Sequence, residues 1–266
     1  MTNDPAILTQ IHQLETLAAT AWPAAEVQEL TGWRLRHTAG VTRRANSVWP
    51  NENEGDMALT TKVAAVERFY AERNLPARYQ IAPCMQPSDL DSHLAERGYR
   101  TVARTAAQTT PLATILAKSP PLRQRPEFVI EVSETFDESW FQAYSTFAEE
   151  DANGLSTRRA ILQRISAATG FAFLSIHDQP AAVGLGVVEA DWLGIFCMGT
   201  APAFRRQGAA RAILRTLTLW AQLYGADRAY LQVMESNVAA RPLYTSLGFE
   251  TLYHYHYREL SSPKID

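Results

Sequence analysis

The chain reads as an α+β protein in which one order of strands and helices is built twice. Three observations predict this. Both halves run in the same order: strands, helix, strand, short helix, strand. The short helix ends in Gly-aromatic each time, LAERGY at 94–99 and YTSLGF at 244–249. Between the halves, LATILAKSPPLRQRPE carries three prolines and several charges, the composition of a connection rather than of a core element. The organisation expected is a partial domain over 1–115, a linker over 116–127 and a complete domain over 128–266.

In the first half, Ile7, Ile11, Leu14 and Leu17 recur three or four apart after Asp4-Pro5, which predicts an amphipathic helix to about Thr20. GWRLRHTAGVTRRANSVWP reads as two short strands turning at Ala39-Gly40. Helical spacing returns at Val63, Val66 and Tyr70, and ARYQIAP is a strand bounded by proline. SDLDSHLAERGY is a short helix with a serine cap and a glycine stop, and RTVARTAAQTT is a strand.

The second half opens with strand FVIEV and helices around ESWFQAYSTFAEE and STRRAILQRISAATG. FAFLSIHDQPAAVGLGVVEADWLGIFCMGT reads as three antiparallel strands, turning at Asp178-Gln179-Pro180 and near Ala190-Asp191. A helix follows with Ile213, Leu217, Trp220, Ala221 and Tyr224 on one face, stopped by Gly225. RAYLQVM is a buried strand, NVAARPLYTSLGF a short helix and ETLYHYHYREL a closing strand.

Composition narrows the function. With 46% hydrophobic and 20% charged residues and a net charge of −3, the chain matches a soluble globular protein and lacks the basic surplus of a nucleic-acid binder. No signal-peptide core or stretch of about 18 apolar residues is visible, so a cytoplasmic protein with no membrane partner is expected. Cys84 and Cys197 form no CxxC pair, and His254 and His256 share a strand face without a third ligand, so no metal is expected. Nothing in the sequence separates a monomer from a homodimer.

The chemistry centres on FRRQGAARAIL, residues 204–214. Backbone N–H groups at a helix N-terminus can hold a pyrophosphate, provided small residues let the ligand approach. Gly208 and Ala210 meet that need, and Arg205 and Arg206 add positive charge at the mouth. No Gly-Lys-Ser/Thr follows and only one glycine is present, which excludes a P-loop and a dinucleotide fingerprint. Downstream come YLQVM and then Asn237-x-x-Ala240-x-x-Leu243-Tyr244-x-x-x-Gly248-Phe249. Loop, strand and second motif together resemble the GNAT (Gcn5-related N-acetyltransferase) superfamily over residues 128–258. More loosely, WRLRHTAGVTRRANSVWP resembles the partial GNAT-like domain that precedes the catalytic one in some bacterial members.

That resemblance implies a GNAT fold, a mixed, mostly antiparallel central sheet flanked by helices, and an N-acetyltransferase that moves acetyl from acetyl-CoA to a primary amine of a small molecule or peptide, by direct attack in a ternary complex. It places the pyrophosphate on Arg205, Arg206, Gln207, Gly208, Ala209 and Ala210, and the pantetheine arm along the strand ending near Met198 and Thr200. Asn237 is expected to hold that arm, and Tyr244 to sit beside the sulfur as general acid, because a phenol of pKa about 10 can donate to a departing thiolate. GIFCMGT has no carboxylate, so the base is open between Glu235 and Glu149, Glu150 or Asp151.

In the first half, the place of the phosphate loop is taken by Pro50-Asn51-Glu52-Asn53-Glu54-Gly55-Asp56, whose carboxylates repel a pyrophosphate, and Leu94 stands opposite Tyr244. This half is expected not to bind CoA. Arg43, Arg44, Asn46 and Ser47 either shape an acceptor site or form a structural hydrogen-bond cluster. The alternative function is a non-catalytic acyl-CoA sensor or interaction module.

Overall fold

The computed structural model describes residues 4–121, 125–148 and 152–260, which fall into two compact units: 4–106 with 234–236 and 253–260, and 107–233 with 237–252. In the first unit, α1 (Pro5–Thr20) starts where the Asp4 carboxylate accepts the Ala6 N–H and proline takes the first helical position. β1 (Glu26–Leu30) and β2 (Trp33–His37) form a hairpin around Thr31 and Gly32, both with positive φ. The sequence reading missed β1, whose side chains are mostly exposed and show no apolar alternation. β3 (Val48–Trp49), α2 (Leu59–Ala71), β4 (Arg78–Ile81), α3 (Leu90–Glu96) and β5 (Arg100–Pro111) follow. Trp33, Val63, Val66, Tyr70, Tyr79 and Leu94 pack into this unit's core.

The second unit takes the end of β5 and then α4 (Leu112–Lys118), where a connection was expected. Leu112 and Ile115 are buried, and that apolar pair is what makes the segment part of the core. β6 (Phe128–Ser133), α5 (Glu138–Phe147), α6 (Ala152–Gln163) and the meander of β7 (Ala168–Ile176), β8 (Gln179–Glu189) and β9 (Trp192–Thr200) come next, all antiparallel. The turn between β7 and β8 sits on His177 and Asp178, both left-handed, one residue earlier than the sequence indicated. A 3-10 turn (Pro202–Phe204), α7 (Ala209–Leu223), β10 (Arg228–Met234) and α8 (Arg241–Ser246) complete it.

α7 lies close on the sheet because glycines lie beneath it. A Cβ at Gly184 would meet Ile213 Cγ2 at 2.6 Å, one at Gly186 Leu217 Cδ2 at 3.1 Å, and one at Gly170 the Trp220 ring at 2.9 Å. The buried stripe Ile213, Leu214, Leu217, Trp220 and Ala221 is the expected apolar face, except that Tyr224 is exposed. Trp140 on α5 is fully buried, and its indole N–H donates to the Ala172 and Gly184 carbonyls.

β11 (Glu250–Glu259) closes the chain. The first unit's strand order is β1-β2-β3-β4-β11-β5, with β3 and β4 parallel and β11 antiparallel to β4. In the second unit the order is β5-β10-β9-β8-β7-β6. The observed class is the α+β mixed sheet with flanking helices that the resemblance implies.

Candidate active site

β9 and β10 run parallel only from Trp192/Arg228 to Ile195/Leu231. Past that register their ladder stops, while the end of β9 stays bonded to β8. Two neighbouring parallel strands therefore part at their C-terminal ends, where ligands enter open sheets. Opposite this opening β9 carries a bulge: Val183 pairs with Gly199 and Leu185 with Phe196, so Cys197 and Met198 together face Gly184. Cys197 has φ 49, and the bulge turns the local backbone out of the regular ladder. The Met198 sulfur lies 2.7 Å from where a Gly184 Cβ would stand, so its side chain rests on that glycine.

β9 ends at Thr200 and feeds the loop 205–210. Arg205 Nε donates to the Thr200 carbonyl at 3.3 Å, and Gln207 Nε2 to the Ala203 carbonyl at 2.9 Å. Arg206 and Gly208 are left-handed, with φ 64 and 90. Glycine takes that conformation freely, whereas for arginine it costs about 1 kcal/mol. Left-handed residues at 206 and 208 turn the backbone sharply just before α7, and turns of this kind can gather N–H groups into a concave arrangement that binds anions. No side chain caps α7, Gly208 is exposed, and among the described residues the Arg206 guanidinium has no partner. The start of this helix has its N–H groups available, which fits a pyrophosphate.

Sequence reasoning missed the arginines that brace the loop. Arg211 donates to the Lys118 carbonyl at 2.9 Å and to Ser246 Oγ at 2.7 Å. Arg215 donates to the carbonyls of Leu116 and Ser119, both at 2.9 Å. Together they satisfy the open C-terminal end of α4. Their spacing of four on one helix was the available signal. Arg125, from the segment read as linker, donates to the Gln207 carbonyl at 2.7 Å across 82 residues of chain, and no local pattern could reveal that.

On the other side of the opening, Asn237 Oδ1 accepts the Ala240 N–H at 3.1 Å and so starts the turn into α8. Tyr244 is 7% exposed, its ring edge-on to Phe249 at 5.8 Å. Burial pushes its phenol up to about 12. Gly248 ends the helix at φ 88, and a Cβ there would lie 2.5 Å from Thr114 Cγ2. Met198, Thr200, the loop 205–210, Asn237 and Tyr244 all belong to the second unit, whereas Glu235 belongs to the first, where its carboxylate stands 3.6 Å from His254 Nε2. Glu149, Glu150 and Asp151 lie outside the described residues. His256 pairs with Asp91 at 3.0 Å, and no group of three or more metal-ligating side chains occurs among the described residues. Nor is any described helix long and apolar enough to cross a membrane.

The corresponding loop of the first unit is chemically different. Glu52 and Glu54 donate their N–H groups to the Gly32 and Thr31 carbonyls, both at 3.1 Å. The buried Lys62 of α2 donates to the Thr31 carbonyl at 2.6 Å and to Asn53 Oδ1 at 3.3 Å, its ammonium 4.2 Å from the Trp33 ring centre. Asn46 and Ser47 serve structure here. Asn46 Oδ1 accepts the Thr38 and Gly40 N–H groups, its Nδ2 donates to the Val41 and Thr42 carbonyls, and Ser47 Oγ accepts from Arg36.

Comparison with known proteins places this geometry. A family model described as "Probable histone acetyltransferase Rv0428c C-terminal" matches residues 8–259. The chain is 30% identical over 258 residues to the "Uncharacterized N-acetyltransferase YobR" of Bacillus subtilis, covering 94% of this chain and 99% of that one. A GCN5-related N-acetyltransferase from Kribbella flavida superposes with a TM-score of 0.72 at 16% identity, over 96% of this chain and 97% of that one. A tandem GNAT protein from the clavulanic acid biosynthesis pathway does so at 0.62 and 9% identity, over 97% and 95%. The two structural likenesses concern the fold, and the family rests on the first two matches. With its parted β9 and β10 and its uncapped loop before α7, the chain belongs to the Rv0428c C-terminal family of the GNAT N-acetyltransferases and is an acyltransferase of that type.

Proposed function

We propose that the second unit binds acetyl-CoA at the parting of β9 and β10 and transfers its acetyl group to a primary amine by direct attack within a ternary complex. The observation that carries this reading is the uncapped start of α7, with Gly208 left-handed, directly after a strand that parts from its parallel neighbour. Acetyl-CoA supplies an activated thioester. The chain supplies position and charge. N–H groups of the loop 205–210, with Arg205 and Arg206, hold the pyrophosphate, while Thr200, the Met198 backbone and Asn237 align the arm.

At the bulge, backbone N–H near Met198 stabilises the carbonyl oxygen as it gains charge. The proton that the attacking amine loses passes to water. Tyr244 faces the leaving sulfur. Its raised pKa keeps it protonated at neutral pH, so it always offers a hydrogen bond. Passing the whole proton to a thiolate of ordinary pKa runs uphill by roughly 5 kcal/mol, so hydrogen-bond donation is its main contribution.

The acceptor is a small-molecule or peptide amine. The family description names a histone acetyltransferase, which favours testing peptide lysines and N-termini alongside polyamines. Thiol release from acetyl-CoA across such a panel, with calorimetric titration of CoA, tests the reading. Micromolar CoA binding with acetylation of at least one amine is expected. Absence of CoA binding would overturn it.

A further inference from the structure

Arg125 is held on three sides. Nε donates to Glu127 Oε1 at 2.7 Å, the guanidinium stacks over Phe128 at 4.0 Å, and Nη1 donates to the Gln207 carbonyl at 2.7 Å. Phe128 is itself nearly buried at the start of β6, and its N–H donates to the Arg125 carbonyl at 3.0 Å. The guanidinium therefore sits on a fixed mount, and its hydrogen bond is charge-assisted.

Gln207 is the residue between the two left-handed ones. The peptide joining Gln207 to Gly208 is planar and trans, so its C=O and N–H point in opposite directions. Whatever grips the carbonyl also aims the Gly208 N–H. Without that grip the peptide could flip, since glycine accepts either sign of φ, and a carbonyl would then face the anion. Among the described residues no other group bonds the Gln207 carbonyl.

We infer that Arg125 is a positioning residue for the phosphate loop: by holding the Gln207 carbonyl it turns the Gly208 N–H toward the bound pyrophosphate. The inference rests on the reading of residues 205–210 as the pyrophosphate loop. Its effect passes through the peptide.

The test uses the full chain and its Arg125→Ala and Arg125→Lys variants. The probe is CoA, titrated calorimetrically, with the amide resonance of Gly208 followed by NMR without ligand. Arg125→Ala is expected to weaken CoA binding about tenfold and to shift or broaden the Gly208 amide, with the melting temperature held within a degree or two. Arg125→Lys should recover part of the affinity, because an ammonium still reaches the carbonyl but lacks the stacked plane. Unchanged CoA affinity in Arg125→Ala, or an unmoved Gly208 amide, overturns the role while the pyrophosphate reading stands. A parent chain that binds no CoA overturns both. If Arg125→Ala melts early, Arg125→Met, which keeps apolar contact with Phe128 but has no donor, decides: parental affinity together with an unmoved Gly208 amide would count against the inference.

Discussion

Two loops at matched places in the two units differ in the features that the proposed anion site needs. In the second unit, residues 205–210 combine a glycine at φ 90, an uncapped helix start and arginines at the mouth. In the first, residues 51–56 carry three exposed carboxylates, and the Glu52 and Glu54 N–H groups are already bonded to the β1–β2 turn. The Lys62 ammonium is turned inward, onto the Thr31 carbonyl and Asn53 Oδ1. The lesson is that an anion site depends on amides left without an internal partner as much as on positive charge. We propose that the first unit, roughly the partial domain of the sequence reading, does not bind CoA.

The strongest way to break this contrast is to give the second loop the first loop's charge. Arg205→Glu with Arg206→Glu should weaken CoA binding by about 100-fold or more, because like charges meet, with melting temperature nearly unchanged. Calorimetry and a thermal melt check both halves of that statement. Tyr244 against the fully buried Leu94 gives the next difference. Tyr244→Phe should lower kcat about 100-fold and leave the Kd for CoA within twofold, read by steady-state kinetics and titration.

In the first unit the effect falls on stability. Lys62→Met removes the donor to the Thr31 carbonyl and should cost about 2 kcal/mol in denaturant unfolding, with CoA affinity unmoved. A loss of CoA affinity there would end the division of labour.

The smallest effect is a pH dependence of the first unit. Glu15 is buried, accepts from Tyr253 and Gln80, and its carboxyl is raised above 4.5 chiefly by desolvation, with Tyr253 and Arg36 opposing. A raised folded-state value means extra stability below about 4.5 that is lost as pH climbs through the folded value. Stability should therefore fall as pH rises above about 4.5, read as a falling melting temperature, and Glu15→Gln should flatten that slope.

Much of this was legible in one dimension. Apolar spacing of three and four on α7, the alternation of the meander and glycine stops at 98, 225 and 248 are local consequences of backbone geometry. The candidate loop 205–210 also stood out locally, because arginines and a glycine directly before a helix are the residue types that anion binding calls for. β1 was hidden because an exposed edge strand needs no apolar pattern, and α4 because three nearby prolines outweighed two buried residues.

The sequence by itself determined the α+β class, the repeated plan, the phosphate-loop candidate with Tyr244, and the acidic loop of the first half, since each depends on neighbours in the chain. Only the tertiary structure decided that β9 and β10 part after Ile195 and Leu231, that the first loop's amides are already taken, and that Arg125 holds Gln207. Those facts join residues tens of positions apart, and hydrogen bonds at that separation follow from packing rather than from any local period.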